Sequence, residues 1–148
     1  MTAYAAVAAG IAQLVVPRKP SLLAAPATAL LLAPAGVLGA GAVLTFMRWG
    51  TTVDPFHADR ASTLITDGPN SVTRNPMYVG MAGVLVAHAL SMRSWRAMLP
   101  VAAFVAVIDR TQIRREEEHL RAQFGRAYDD YCAQVPRWVG PVRARTNR

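Results

Sequence analysis

The chain has 148 residues, 53% of them apolar, with 16 Lys and Arg against 9 Asp and Glu and a formal net charge of +7. That length suits one domain, and an apolar fraction above one half with a positive mean hydropathy reads as a membrane protein. The lone Cys132 excludes an internal disulfide and a CxxC metal site, and the basic balance argues only weakly for nucleic acid, because nine of the positive residues lie from Arg110 onward, behind the last apolar run.

Four runs carry no charge: Met1–Pro17, Pro20–Met47, Asn75–Met92 and Ala97–Ile108. A spanning helix needs roughly 20 mainly apolar residues. The first run lacks the basic start of a signal peptide, so it reads as a retained helix. The second is long enough to span, with Pro26 marking a helix start or Pro34 a kink. The fourth reaches spanning length if its helix starts near Trp95 and continues past Asp109. The fold expected is therefore an all-α membrane protein of about four transmembrane helices plus a C-terminal helix, in one domain over residues 1–148.

Counting Lys and Arg on the two sides gives twelve for the 48–75 loop plus the tail and four for the short connections. The excess of positive charge places both termini, that loop and the tail on the cytoplasmic side. The terminal VRARTNR reads as a solvated basic tail able to touch anionic lipid headgroups.

The loop from Thr51 to Pro76, TTVDPFHADRASTLITDGPNSVTRNP, is polar and carries a DGP turn signal, so it can fold back over a site at its own membrane face. Asp54 and His57 fit turn or salt-bridge roles better than site roles. The loop ends in TRNPMYVG, where Asn75 suits an N-cap and Pro76 the first helical position. A helix entry of this kind also presents free amides and a positive dipole end to a carboxylate or phosphate. Within the third run, Gly80, Gly83 and Ala87 form a small-residue stripe that lets a helix or a ligand approach the backbone. His88, about 13 residues in, falls near the opposite interface and is not counted in the site.

In IRREEEHLRAQFGRAYDDYCAQVPRW the residues Ile113, Leu120, Phe124, Tyr128, Tyr131 and Val135 recur at helical spacing. Glu117 falls inside that stripe, Glu116 at its edge, and Glu118 points away. A carboxylate on a buried face needs a partner, whether a ligand or an arginine such as Arg74 or Arg114. Gly125 is placed to interrupt the helix.

GPNSVTRNPMYVG followed by RREEEHLRAQFGRAYDDYCAQVPRW resembles the isoprenylcysteine carboxyl methyltransferase and phospholipid methyltransferase superfamily, over about Thr51 to Trp138. Its usual pattern is Arg-His-Pro-x-Tyr-x-Gly, an apolar hairpin, then a Glu-Glu pair ahead of a Leu and a Phe-Gly. The resemblance implies methyl transfer from S-adenosylmethionine to a lipophilic or membrane-embedded acceptor, with the cofactor at the cytoplasmic face. It carries Asn75, Pro76, Tyr78, Gly80, Glu116 and Glu117 over as cofactor-binding residues, and Arg74 and Glu117 as those nearest the chemistry, Arg74 as the fork for a carboxylate or acceptor. Tyr78 can otherwise sit in an interfacial aromatic belt with Trp49 and Trp95. Asn75 departs from the pattern, since an amide stands where an ionisable imidazole is usual. No metal is implied. The alternative reading is a non-catalytic lipid-binding or assembly protein that keeps the fold.

Overall fold

A computed structural model describes residues 2–14, 25–48 and 63–141. The expectations for the 17–20 connection, Trp49, Asp54, His57, most of the 48–75 loop and the basic tail lie outside these residues. The described parts are helical: α1 (Thr2–Leu14), α2 (Ala25–Arg48), a 3₁₀ turn (Gly68–Ser71), α3 (Pro76–Ser91), a second 3₁₀ turn (Trp95–Ala97), α4 (Met98–Ile108), a π-helical turn (Asp109–Ile113), α5 (Arg114–Phe124) and α6 (Arg126–Gln134).

Residues Trp95 to Phe124 form one unbroken helical rod whose hydrogen-bonding pattern changes three times along its length. The fourth run thus continues past Asp109 as expected, but through a π-helical turn. The rod stops at Gly125, whose φ of 52° lies where a side chain is strained, and α6 starts in a new direction. In α2 the helix begins one residue before Pro26, within the first turn where a missing N–H costs little, and runs on through Pro34.

The described helices do not by themselves supply the four membrane spans expected. Among the described residues, no helix is long and apolar enough to cross a membrane. With 13, 16 and 11 residues, α1, α3 and α4 reach about 20, 24 and 17 Å at 1.5 Å per residue, against a hydrocarbon core of about 30 Å. α2 has the length, 24 residues, but only part of its side chains belongs to the described set.

The glycine stripe is a helix contact. A Cβ built on Gly80 would lie 2.9 Å from the Ala35 carbonyl oxygen and 3.0 Å from the Gly39 Cα, and one on Gly83 would lie 2.7 Å from the Ala35 Cβ. Small residues on both helices let α2 and α3 meet backbone to backbone, an arrangement that works where apolar surroundings give no hydrophobic drive between helices. The main core gathers Leu85 and Ala89 of α3 with Val101, Phe104 and Ile108 of α4 and Ala9 of α1. A second cluster joins Tyr128, Tyr131 and Val135 to Leu120 and Phe124. The C-terminal apolar stripe therefore splits, because Ile113 packs into the main core instead.

At the end of α3 away from Asn75, the fully buried Gln13 donates from Nε2 to the carbonyls of Leu85 (2.9 Å) and Ala97 (3.1 Å). Its Oε1 faces His88 Nδ1 at 2.8 Å. Because the amide nitrogen is committed as a donor, Oε1 accepts, and His88 carries its proton on Nδ1. His88 is thus a structural clip between α1 and α3. Gln13→Ala removes all three bonds and leaves buried polar groups unpaired, so thermal unfolding followed by circular dichroism is expected to show a loss of about 2 kcal/mol or more. A midpoint equal to wild type contradicts this account of how α1 is held.

Candidate active site

Two polar segments that are far apart in sequence meet at the start of α3. The turn Thr73–Asn75 lies against the irregular segment Pro136–Trp138 that follows α6. Arg74 N donates to the Pro136 carbonyl (2.9 Å), and Thr73 Oγ1 and Asn75 Nδ2 both donate to the Arg137 carbonyl at 3.0 Å. Asn75 stands at the N-cap position of α3, and Pro76 is in its first turn, as the sequence suggests. The capping expectation for its side chain is not met: it makes no cap bond, and its Nδ2 instead donates to the Arg137 carbonyl. Tyr131 Oη secures the same corner by donating to the Asn70 carbonyl at 2.7 Å.

Glu117, 8% exposed, receives two guanidinium groups. Arg74 Nη2 lies 3.0 Å from its Oε1, while Arg137 grips both oxygens, Nε on Oε1 at 2.9 Å and Nη2 on Oε2 at 2.6 Å. The third nitrogen of the fork, Arg137 Nη1, is 3.3 Å from each oxygen of Asp109. Asp109 also accepts from Trp138 Nε1 at 2.9 Å. Asp109 is thus held by an indole N–H and a guanidinium from one short segment. The bond to Glu117 in turn raises the Arg137 pKa, so this guanidinium stays charged.

Glu116 has different surroundings. It accepts from Tyr78 Oη at 2.5 Å and from Gln112 Nε2 at 2.9 Å, both neutral donors, and no cation pairs with it among the described residues. Burial pushes its pKa up, the Tyr78 and Gln112 bonds pull it down, and neighbouring Glu117 adds to the rise. Two guanidinium groups thus face three carboxylates, and Glu116 is the one left uncompensated. Arg74 contributes a second open valence: its Nε is buried with no hydrogen-bond partner. An uncompensated carboxylate at Glu116 and an orphaned N–H on Arg74, whose Nη2 binds the neighbouring Glu117, form a donor set that fits a ligand carrying both a cationic or hydroxyl group and an anionic one.

The expected site residues Arg74, Asn75, Pro76, Tyr78, Glu116 and Glu117 thus converge at one end of α3. Gly80 faces α2 instead. Tyr78 is buried with its hydroxyl on Glu116, which removes it from an exposed aromatic belt, whereas Trp95 is exposed. Sequence reading missed Asp109 and Arg137. The signal available for Arg137 was the need of a stripe-facing Glu117 for a partner, but nothing in the spacing singled out this arginine among the others.

Two apolar grooves run along the helices, and one of them reaches the cluster. One, of about 610 Å³, runs between α1, α2 and α3 past Ala35, Gly39, Met81 and Leu85. The other, of about 510 Å³, follows α4 along Met98, Val101 and Val105 to Asp109 and Arg110, and so ends on a member of the charged cluster.

Comparison with known proteins agrees with the sequence resemblance. The model of the family described as phospholipid methyltransferase matches residues 25–127. A stretch of 63 residues, 43% of this chain, is 38% identical to the full length of a Haemophilus influenzae protein named only as uncharacterized. No solved structure matches.

The raised pKa of Glu116 has a consequence for stability. Its proton is held more tightly in the folded than in the unfolded chain, so its contribution is full below the ordinary glutamate pKa of about 4.3 and is lost as pH rises through the folded value. Thermal midpoints measured from about pH 4 to neutrality are therefore expected to fall for wild type relative to Glu116→Gln, which keeps the shape and cannot ionise. A difference independent of pH contradicts the assignment.

Proposed function

The chain belongs to the phospholipid methyltransferase family, and on that premise we propose that it is an S-adenosylmethionine-dependent methyltransferase acting on a lipophilic acceptor at a membrane. The observation that carries this reading is the uncompensated Glu116 carboxylate next to the unpaired Arg74 Nε. Glu116, backed by Tyr78 and Gln112, is assigned to the ammonium or ribose hydroxyls of the cofactor. Arg74 Nε is assigned to its carboxylate, with the first turn of α3 nearby adding favourable dipole.

Glu117, already neutralised by two arginines, serves this reading as the hub that orients Arg74. Asn75 serves by holding the Pro136–Trp138 segment, a task that an amide performs without titrating, so replacement of the family's usual histidine leaves binding intact. Pro76 starts α3, and Gly80 sets its distance from α2.

When bound, S-adenosylmethionine supplies a methyl group activated by its sulfonium charge. The protein's contribution is then orientation and exclusion of water, which can account for much of the acceleration in a displacement of this kind. The groove along α4 ends at Asp109 and supports an acceptor with an apolar tail whose reactive group sits at the charged cluster. Membrane embedding follows the same reading: α4 gains length through the 3₁₀ and π turns on either side of it, and the termini, α5 and α6 are assigned to the cytoplasmic side.

Isothermal titration of the purified protein with S-adenosylmethionine tests this. Wild type is expected to bind, and Glu116→Gln to weaken binding about tenfold through loss of a charge-assisted contact. A folded wild type that does not bind removes the enzyme reading and favours a lipid-binding protein that keeps the fold. Equal affinity in Glu116→Gln removes the role given to that residue.

A further inference from the structure

Arg137 lies beyond residues 25–127, the span of the family match. Its guanidinium touches carboxylates on both sides of the π-helical turn: Asp109 opens that turn, and Glu117 sits in the first helical turn after it. A π turn holds more residues than an α turn, and each residue inserted or removed rotates all that follows by about 100° about the helix axis. The face that α5 presents to α3 therefore depends on the π turn staying in place.

We propose that Arg137 is the positioning residue of the site, stapling the π-helical turn at both ends and so fixing the direction in which Glu116 meets Tyr78. With Glu117 held at both oxygens, the neighbouring carboxylate has one azimuth available, toward Tyr78 Oη and Gln112. The staple is anchored through its own backbone, since the Arg137 carbonyl accepts from Thr73 and Asn75 at the entry of α3. Trp138 reinforces it by binding Asp109 from the same segment. One short segment thereby sets the relation between the two halves of the site, the entry and first turn of α3 carrying Arg74 and Tyr78, and α5 carrying Glu116. This inference rests on the methyltransferase reading for its consequence and on the geometry alone for its mechanism.

Two variants test it: Arg137→Lys, which keeps the charge without the fork, and Asp109→Asn, which keeps the shape and loosens one end of the staple. Arg121→Lys serves as control, since Arg121 pairs with Asp129 at the surface. Hydrogen exchange at the amides of residues 109–117 is expected to speed up about tenfold in both variants and not in the control. With S-adenosylmethionine, calorimetric Kd is expected to rise about tenfold. In methyl transfer to a total lipid extract, the cofactor KM is expected to rise while kcat stays near wild type, whereas a loss of folded protein would lower kcat at unchanged KM.

Unchanged exchange in both folded variants overturns the staple, and unchanged cofactor affinity with faster exchange overturns the positioning role. Should wild type bind no cofactor, the functional reading falls, and the exchange rates alone then decide whether Arg137 holds the π turn.

Discussion

The bond on which the site depends is the bidentate contact of Arg137 with Glu117, with Arg74 on the same carboxylate. It joins three parts of the chain: the turn before α3, the first turn of α5 and the segment after α6. Replacing a buried ion pair of this kind with well-fitted apolar residues is often neutral or stabilising, whereas removing one partner costs about 3–5 kcal/mol. Its effect is therefore on arrangement more than on total stability. With Glu117 satisfied, Glu116 has hydrogen bonds but no counter-ion among the described residues, and Arg74 Nε is left without a partner.

Packing elsewhere serves the same end of α3. Backbone contact through Gly80 and Gly83 sets α2 against it, and the Gln13 amide ties α1 to Leu85 and Ala97 at the far end. A helix held along its length and at its tail can present Arg74, Asn75 and Tyr78 at its head with little freedom. The cost of the orphaned Arg74 Nε is offset in part by the bond of its Nη2 to Glu117.

Much of this was legible in the sequence. Apolar runs gave the helices, the Asn75–Pro76 pair gave the start of α3, and Gly125 gave the break before α6. Helical spacing also placed Glu117 on a buried face and so demanded a partner for it. What the spacing could not convey was the partner's identity, since Arg137 approaches through a turn after α6 and no local periodicity relates it to residue 117. Asp109 was hidden for a similar reason: the π turn shifts the register between α4 and α5, and a uniform 100° per residue misaligns the two. Asn75 read as a cap because capping is a local bond, but the bond its side chain makes, from Nδ2 to the Arg137 carbonyl, spans 62 residues. The lengths of the helices were not legible either, as absence of charge marks an apolar stretch without fixing where its α-helix ends.

A double-mutant cycle between Arg137 and Glu117, read by thermal unfolding of wild type, Arg137→Gln, Glu117→Gln and the double variant, tests the central claim most directly. The account predicts a coupling of about 1.5–3 kcal/mol, the worth of charge-assisted bonds at a buried carboxylate, with the double variant more stable than the sum of the single losses implies. Coupling indistinguishable from zero, with all four proteins folded, would contradict it.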